Sequence, residues 1–198
     1  MDIVDHYLAG LRQALPPGPL ARLDGASGAT AAQLQTLLQA FPRCPASLLA
    51  LLGRLNGTHW DDDEDGRDTA VLVLGADPAM GSYPYFLRSV EQILEDRQLY
   101  PDSIVEIYGD PAGRACVVPG SGIDAEASGR QRLCFAHCMN NGGTSMLYLD
   151  FAPAAGGVCG QVIRYVHDPD EYRVIAASFD DYLQLQINQE YAFVDPDQ

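Results

Sequence analysis

The chain contains no lysine. All 12 of its basic residues are arginine, set against 27 acidic residues, for a net charge of −15. The absence of lysine excludes a Schiff-base lysine and the phosphate-binding lysine of a P-loop. The shortage of positive charge removes the basic patch that a phosphate-backbone binder needs, so nucleic acid is not the expected partner. No apolar run approaches the ~18 residues of a membrane span. The opening MDIVDHYLAGLRQAL is acidic and amphipathic, without the basic flank and long apolar core of a signal peptide, so the expectation is a cytoplasmic protein with no membrane partner. Five cysteines, at 44, 116, 134, 138 and 159, are odd in number and irregular in spacing, unlike a secreted disulfide framework, and read as reduced, mostly buried thiols. There is no G-x-S-x-G, no G-x-G-x-x-G and no Walker sequence.

What is present suits one domain with an N-terminal extension, residues 1–29 forming a first helix and linker and 30–198 an α+β domain. Ile3, Tyr7, Leu11 and Leu15 recur at helical spacing until Pro16-Pro17-Gly18-Pro19 ends the run. After a Gly/Ser/Ala-rich stretch to Gly28, Thr30 and Gln33 make a capping box for a helix through Phe41, and Pro45 opens another. This pair is expected to form the lid of a sheet. Further along, residues 70–76 read as a strand, 85–98 as a helix, and 104–108, 115–118 and 132–136 as strands between Gly/Pro/Asp turns.

Residues 144–187 organise the rest. Leu147, Leu149 and Phe151 alternate onto one face, a Pro/Gly-rich segment runs from 153 to 160, and Gln161–His167 returns as a strand. Asp168-Pro169-Asp170 is a turn, Tyr172–Ala176 a third short strand, and Ser178 with Asp181 starts a helix carrying Phe179, Tyr182, Leu183, Ile187 and Tyr191 on one stripe. The order LYLDF, Gly-rich loop, GQVI, Asp-rich turn and A-x-SF-x-x-YL resembles the C-terminal half of the SUKH superfamily, which includes fungal Smi/Knr cell-wall regulators and many bacterial proteins. Pro45, the apolar run 48–55 and Asn56-Gly57 resemble its early helix ending in "NG", and Asn140-Asn141-Gly142-Gly143 precedes the LYLDF strand. The resemblance frames roughly residues 34–187. It implies a SUKH-like single α+β domain, with a mixed or largely antiparallel sheet flanked by helices. It also implies a non-enzymatic binding module, most often an immunity protein that neutralises a toxin such as a nuclease, or else an intracellular scaffold of Smi/Knr type.

Three groups of residues invite chemistry. Asp61-Asp62-Asp63-Glu64-Asp65-Gly66 matches the first half of a calcium loop, D-x-D-x-D-G, but Arg67 and Leu72 stand where the seventh and twelfth positions would be, and no helical pattern flanks it. A solvated, mobile, protein-binding loop is the better expectation, with no metal and no cofactor. Cys134-x-x-His137-Cys138 offers two thiols and an imidazole, alone or with His59, for a metal-dependent hydrolase or a thiol nucleophile. The hydrolase would be built around Cys134, His137 and the acidic loop, and the nucleophile would be Cys134 or Cys138 with His137 or His59. The group lacks a second ligand cluster, however, and strict strand alternation puts residues 134 and 137 on opposite faces. Asp150, His167 and Glu171 are acid–base candidates, although a carboxylate at the end of a strand ordinarily caps the following turn. The charge is concentrated in two places: residues 61–68 sum to −5 and 165–198 to −7, whereas 1–58 sum to +1. The candidate partner-binding residues are therefore Asp61, Asp62, Asp63, Glu64, Asp65, Asp168, Asp170 and Glu171, facing a basic protein such as a toxin domain.

Overall fold

The computed structural model describes residues 2–58, 70–80, 83–140 and 143–194. Helix α1 (Ile3–Ala14) starts where the Asp2 carboxylate accepts the Asp5 N–H at 2.7 Å, and it turns Val4, Tyr7, Leu8 and Leu11 inward. The stretch expected to be linker instead holds a second helix, α2 (Pro17–Gly25). A proline in the first helical turn gives up only an N–H that has no intrahelical partner, so the tetrapeptide that ends α1 also starts α2. Helix α3 (Ala31–Ala40) opens on the expected Thr30–Gln33 box, and α4 (Ala46–Leu52) follows Pro45.

Among the described residues six strands form one sheet in chain order with every neighbouring pair antiparallel: β1 (Leu72–Gly75), β2 (Pro84–Leu87), β3 (Arg132–Asn140), β4 (Gly143–Asp150), β5 (Gln161–Val166) and β6 (Glu171–Ala176). The helix expected over 85–98 is corrected at its start. Tyr85 and Leu87 are buried as a strand alternation in β2, and α5 (Val90–Leu99) begins only at a capping box of Ser89 with Gln92. Residues 104–108 are not a strand but helix α6 (Ile104–Tyr108), because Ser103 and Glu106 cap its first turn reciprocally and override the β-prone Ile-Val content. The strand expected at 115–118 is likewise replaced. Helix α7 (Ala112–Ala115) precedes it, and Val117 makes one isolated parallel bridge to Tyr172.

One face of the sheet carries the main core. Leu133, Phe135, Leu147, Leu149 and Val162 meet Val4, Leu11, Leu37, Leu48, Leu52 and Ile93 there, together with Phe179, Tyr182 and Leu183 of helix α8 (Phe179–Asn188). On edge strand β1 and just past it, the carbonyls of Val73, Gly75 and Ala76 accept hydrogen bonds from Tyr7, Tyr182 and Gln186 at 2.5, 2.7 and 3.0 Å. Pinning an edge to α1 and α8 in this way leaves less of it open to another chain. Asn56-Gly57 joins α4 to α5: Asn56 Oδ1 accepts the Val90 N–H at 3.0 Å, Asn56 Nδ2 donates to Glu91, and the Asn56 N–H reaches back to Ser27. The opposite face buries a smaller cluster, in which Ile163, Tyr165 and Tyr172 pack against Ile104, Ile123 and Ala125.

Candidate functional site

That second face is only partly covered. A bulge at Phe135 shifts the β3–β4 register, so Cys134 stands opposite Tyr148 and His137 opposite Met146. Since Tyr148 and Met146 are two apart on β4, the bulge returns His137 to the face of Cys134, and the expected separation of residues 134 and 137 is corrected. It is Cys138 that turns away, into the main core. Cys134, Met146 and Tyr148 floor a cleft walled by Asp96, Arg97 and Tyr100 at the end of α5 and by Asp102, Ile104 and Ile107 at α6, with Arg132 and Tyr172 also lining it. Its volume, about 70 Å³, holds a few waters or one small group. Of the residues lining it, Tyr100 and Ile107 stand 63% and 54% exposed and Asp102 is exposed, and the same stretches carry Leu99, 61% exposed, and the exposed carboxylates of Glu95 on α5 and Glu106 on α6. None of these was singled out from sequence, though Leu99-Tyr100 directly before Pro101 places two large apolar residues where a helix must stop.

The buried thiols are poor nucleophiles. Burial, with Asp96 adding to it, pushes Cys134 up to about 12, and burial pushes Cys138 to about 11 and Cys44 to about 12, so all three stay protonated at neutral pH. Among the described residues no group of three or more His, Cys, Asp or Glu is placed to hold a metal ion. His59 and the whole run Asp61–Asp65, with its calcium-like spacing, lie outside the described residues.

The acidic turn is built into its own surroundings. Asp168 is exposed, with φ at +63°. Asp170 accepts from the Tyr165 hydroxyl at 2.7 Å and faces His167 Nδ1 at 2.8 Å. Burial alone would raise Asp170, but the bonds from Tyr165 and His167 win and hold it below the ordinary carboxylate range. Glu171 is held low first by Arg173, against some burial, and then by Arg164, whose guanidinium is 3% exposed and also pairs with Asp77. Asp150, fully buried, accepts from the Ala152 N–H at 3.0 Å and from Gln161 at 3.0 Å. It caps the turn and is not aligned with His167. The three acid–base candidates therefore do not converge on one another.

The profile of the SMI1 / KNR4 family (SUKH-1) matches residues 28–185. The chain belongs to the SMI1/KNR4 family. No curated protein matches it. The matched span runs from the residues before α3 to within α8, so it takes in all six SUKH-1 strands, the cleft and the acidic turn. The "NG" that ends the early SUKH-1 helix region is the Asn56-Gly57 junction between α4 and α5. Of the described residues, no helix is long and apolar enough to cross a membrane.

Proposed function

We propose that this SUKH-1 chain is a non-enzymatic protein-binding module of the immunity type, docking on and neutralising a toxin domain with a basic surface, of which a nuclease is the fitting class. The observation that carries the reading is the exposed pair Tyr100 and Ile107 lining one cleft with Asp102, on stretches that also carry exposed Leu99, Glu95 and Glu106. A desolvated aromatic and aliphatic centre with a charged rim is the anatomy of a protein interface, and aromatic anchors supply most of the binding energy there. Asp61, Asp62, Asp63, Glu64, Asp65 and Asp168 provide further negative charge for steering. Asp170 and Glu171 add less of it, because their carboxylates are already paired within the chain. The family's largely non-catalytic character and the raised thiol pKa values support a binder over a hydrolase.

The test is co-expression with the product of the neighbouring reading frame. Growth should be rescued by the native chain and lost with the pair Tyr100→Ala and Ile107→Ala, whose melting temperature should stay close to native because both side chains are exposed. The reading fails if the neighbour is as lethal with the chain present as without it.

A further inference from the structure

The cleft contains a buried guanidinium that makes no ion pair among the described residues. Arg132, at the start of β3, is 6% exposed, yet it donates only to two backbone carbonyls, Asp124 O at 2.5 Å and Ala127 O at 3.4 Å. Its Nε is buried without an acceptor, and among the described residues no carboxylate lies within ion-pairing distance of it. Asp150, opposite it on β4, is the carboxylate the register brings nearest, but its oxygens bond the Ala152 N–H and Gln161, and a guanidinium, which cannot shed its proton, is costly to bury without a hydrogen-bonded carboxylate. Among the described residues the other buried arginine, Arg164, has two carboxylate partners, unlike Arg132.

The surroundings fit an incoming anion. Tyr148 donates only to the Met146 sulfur, at 2.8 Å, a weak acceptor that a better one would displace. Burial holds the Tyr148 and Tyr172 hydroxyls well above their ordinary range, so both remain protonated. Asp96 is already neutralised by Arg88 in a two-point pair at 3.0 and 2.5 Å. The cleft is lined by Arg97 and Arg132 against Asp96 and Asp102, and with Arg88 taking up Asp96 the two arginines face Asp102 there. The remaining walls, Ile104, Ile107, Met146 and Tyr100, are apolar.

We propose that this cleft is a carboxylate-binding site, in which a carboxylate on a small apolar stem supplies the counter-charge of Arg132 and accepts from Tyr148. The size excludes a large cofactor and admits the end of a chain or a small organic acid. The site stands whether or not the partner is a toxin, because its test needs no partner protein.

Benzoate, with benzamide as its uncharged counterpart, is titrated against the full chain by heteronuclear NMR. Benzoate should shift the amides of residues 132–134 and 146–148, and benzamide should not. Arg132→Gln should weaken benzoate by at least about tenfold, the worth of a charge-assisted bond. Tyr148→Phe, which keeps the ring and the fold, should weaken it several-fold even if the Arg132 variant proves unstable. A short peptide ending in phenylalanine, with a free or an amidated terminus, distinguishes the sources. Tighter binding of the free-acid peptide than of benzoate assigns the site to a chain terminus, and the reverse assigns it to a small acid. Equal shifts from benzoate and benzamide, no shifts from any acid, or benzoate affinity unchanged in Tyr148→Phe would each overturn the proposal.

Discussion

Phe179 sets how α8 is held. Its ring meets Phe135 edge-on, with centroids 5.3 Å apart and planes at 88°, and it is 1% exposed. Phe179→Ala removes that contact and leaves a cavity, so a loss of about 3–5 kcal/mol is expected against a domain stability of about 5–15 kcal/mol. An unchanged urea midpoint would mean that α8 is not needed to close the core. Glu171 makes a different kind of contribution. Its folded pKa is depressed, by Arg173 first and then Arg164. A group of that sign stabilises the fold above its unfolded value, near pH 4.3, and its contribution disappears as pH falls through the lower folded value. Acid also relieves the repulsion of a net −15, which works in the opposite direction. The clean comparison is therefore between native chain and Glu171→Gln. The native chain should hold the advantage in urea midpoint at neutral pH, and the gap should close below about pH 4. A gap independent of pH would show that the carboxylate is not what Arg164 and Arg173 require.

Among the elements, the Asn56-Gly57 junction shows how a short sequence motif acquires its physical reason. Gly57 has φ of +86°, and a Cβ there would sit 2.8 Å from the backbone nitrogen of Ser89, the N-cap of α5. Gly57→Ala should cost more than about 1 kcal/mol from conformation alone, plus a collision at the start of α5. Gly156→Ala is the matched comparison, because φ is +91° there but nothing lies within 4 Å of the added carbon. Gly57→Ala should lower the urea midpoint more and speed hydrogen exchange at the first turn of α5; equal losses would remove the collision from the account. Much of the fold was legible from the same kind of signal: the Thr30 box, the Pro45 start, the last three strands and α8 all lie where caps and periodicity place them. The errors cluster where two periods fit the same residues. Tyr85-Phe86-Leu87 satisfies both a strand and a helix stripe, and Ile104-Val105 looks like strand until the Ser103–Glu106 cap is weighed. The cleft was the least legible part, because it depends on a one-residue bulge at Phe135 and on which exposed apolar residues three separate elements bring together.

For the whole molecule, the proposed binding function divides the work: charge would decide how a partner arrives and packing how long it stays. A net charge of −15 attracts a basic domain from beyond contact, and that attraction is screened over about 30 Å at 0.01 M salt but only about 8 Å at 0.15 M. In the proposed complex Leu99, Tyr100 and Ile107 would act only once they are touched, so their contribution would be nearly independent of salt. Association with a basic partner should therefore slow on the order of tenfold between those two conditions, while dissociation changes far less. Salt should also raise the chain's own melting temperature, because self-repulsion is screened, so a slower association cannot be attributed to unfolding. Converting Asp61, Asp62, Asp63, Glu64, Asp65 and Asp168 to their amides should flatten the salt dependence of the association rate and leave dissociation nearly unchanged. Tyr100→Ala with Ile107→Ala should do the reverse, speeding dissociation at every salt concentration. Stopped-flow measurements on the two variants separate the contributions, and the division of roles fails if the amide variant dissociates faster while keeping the native salt slope.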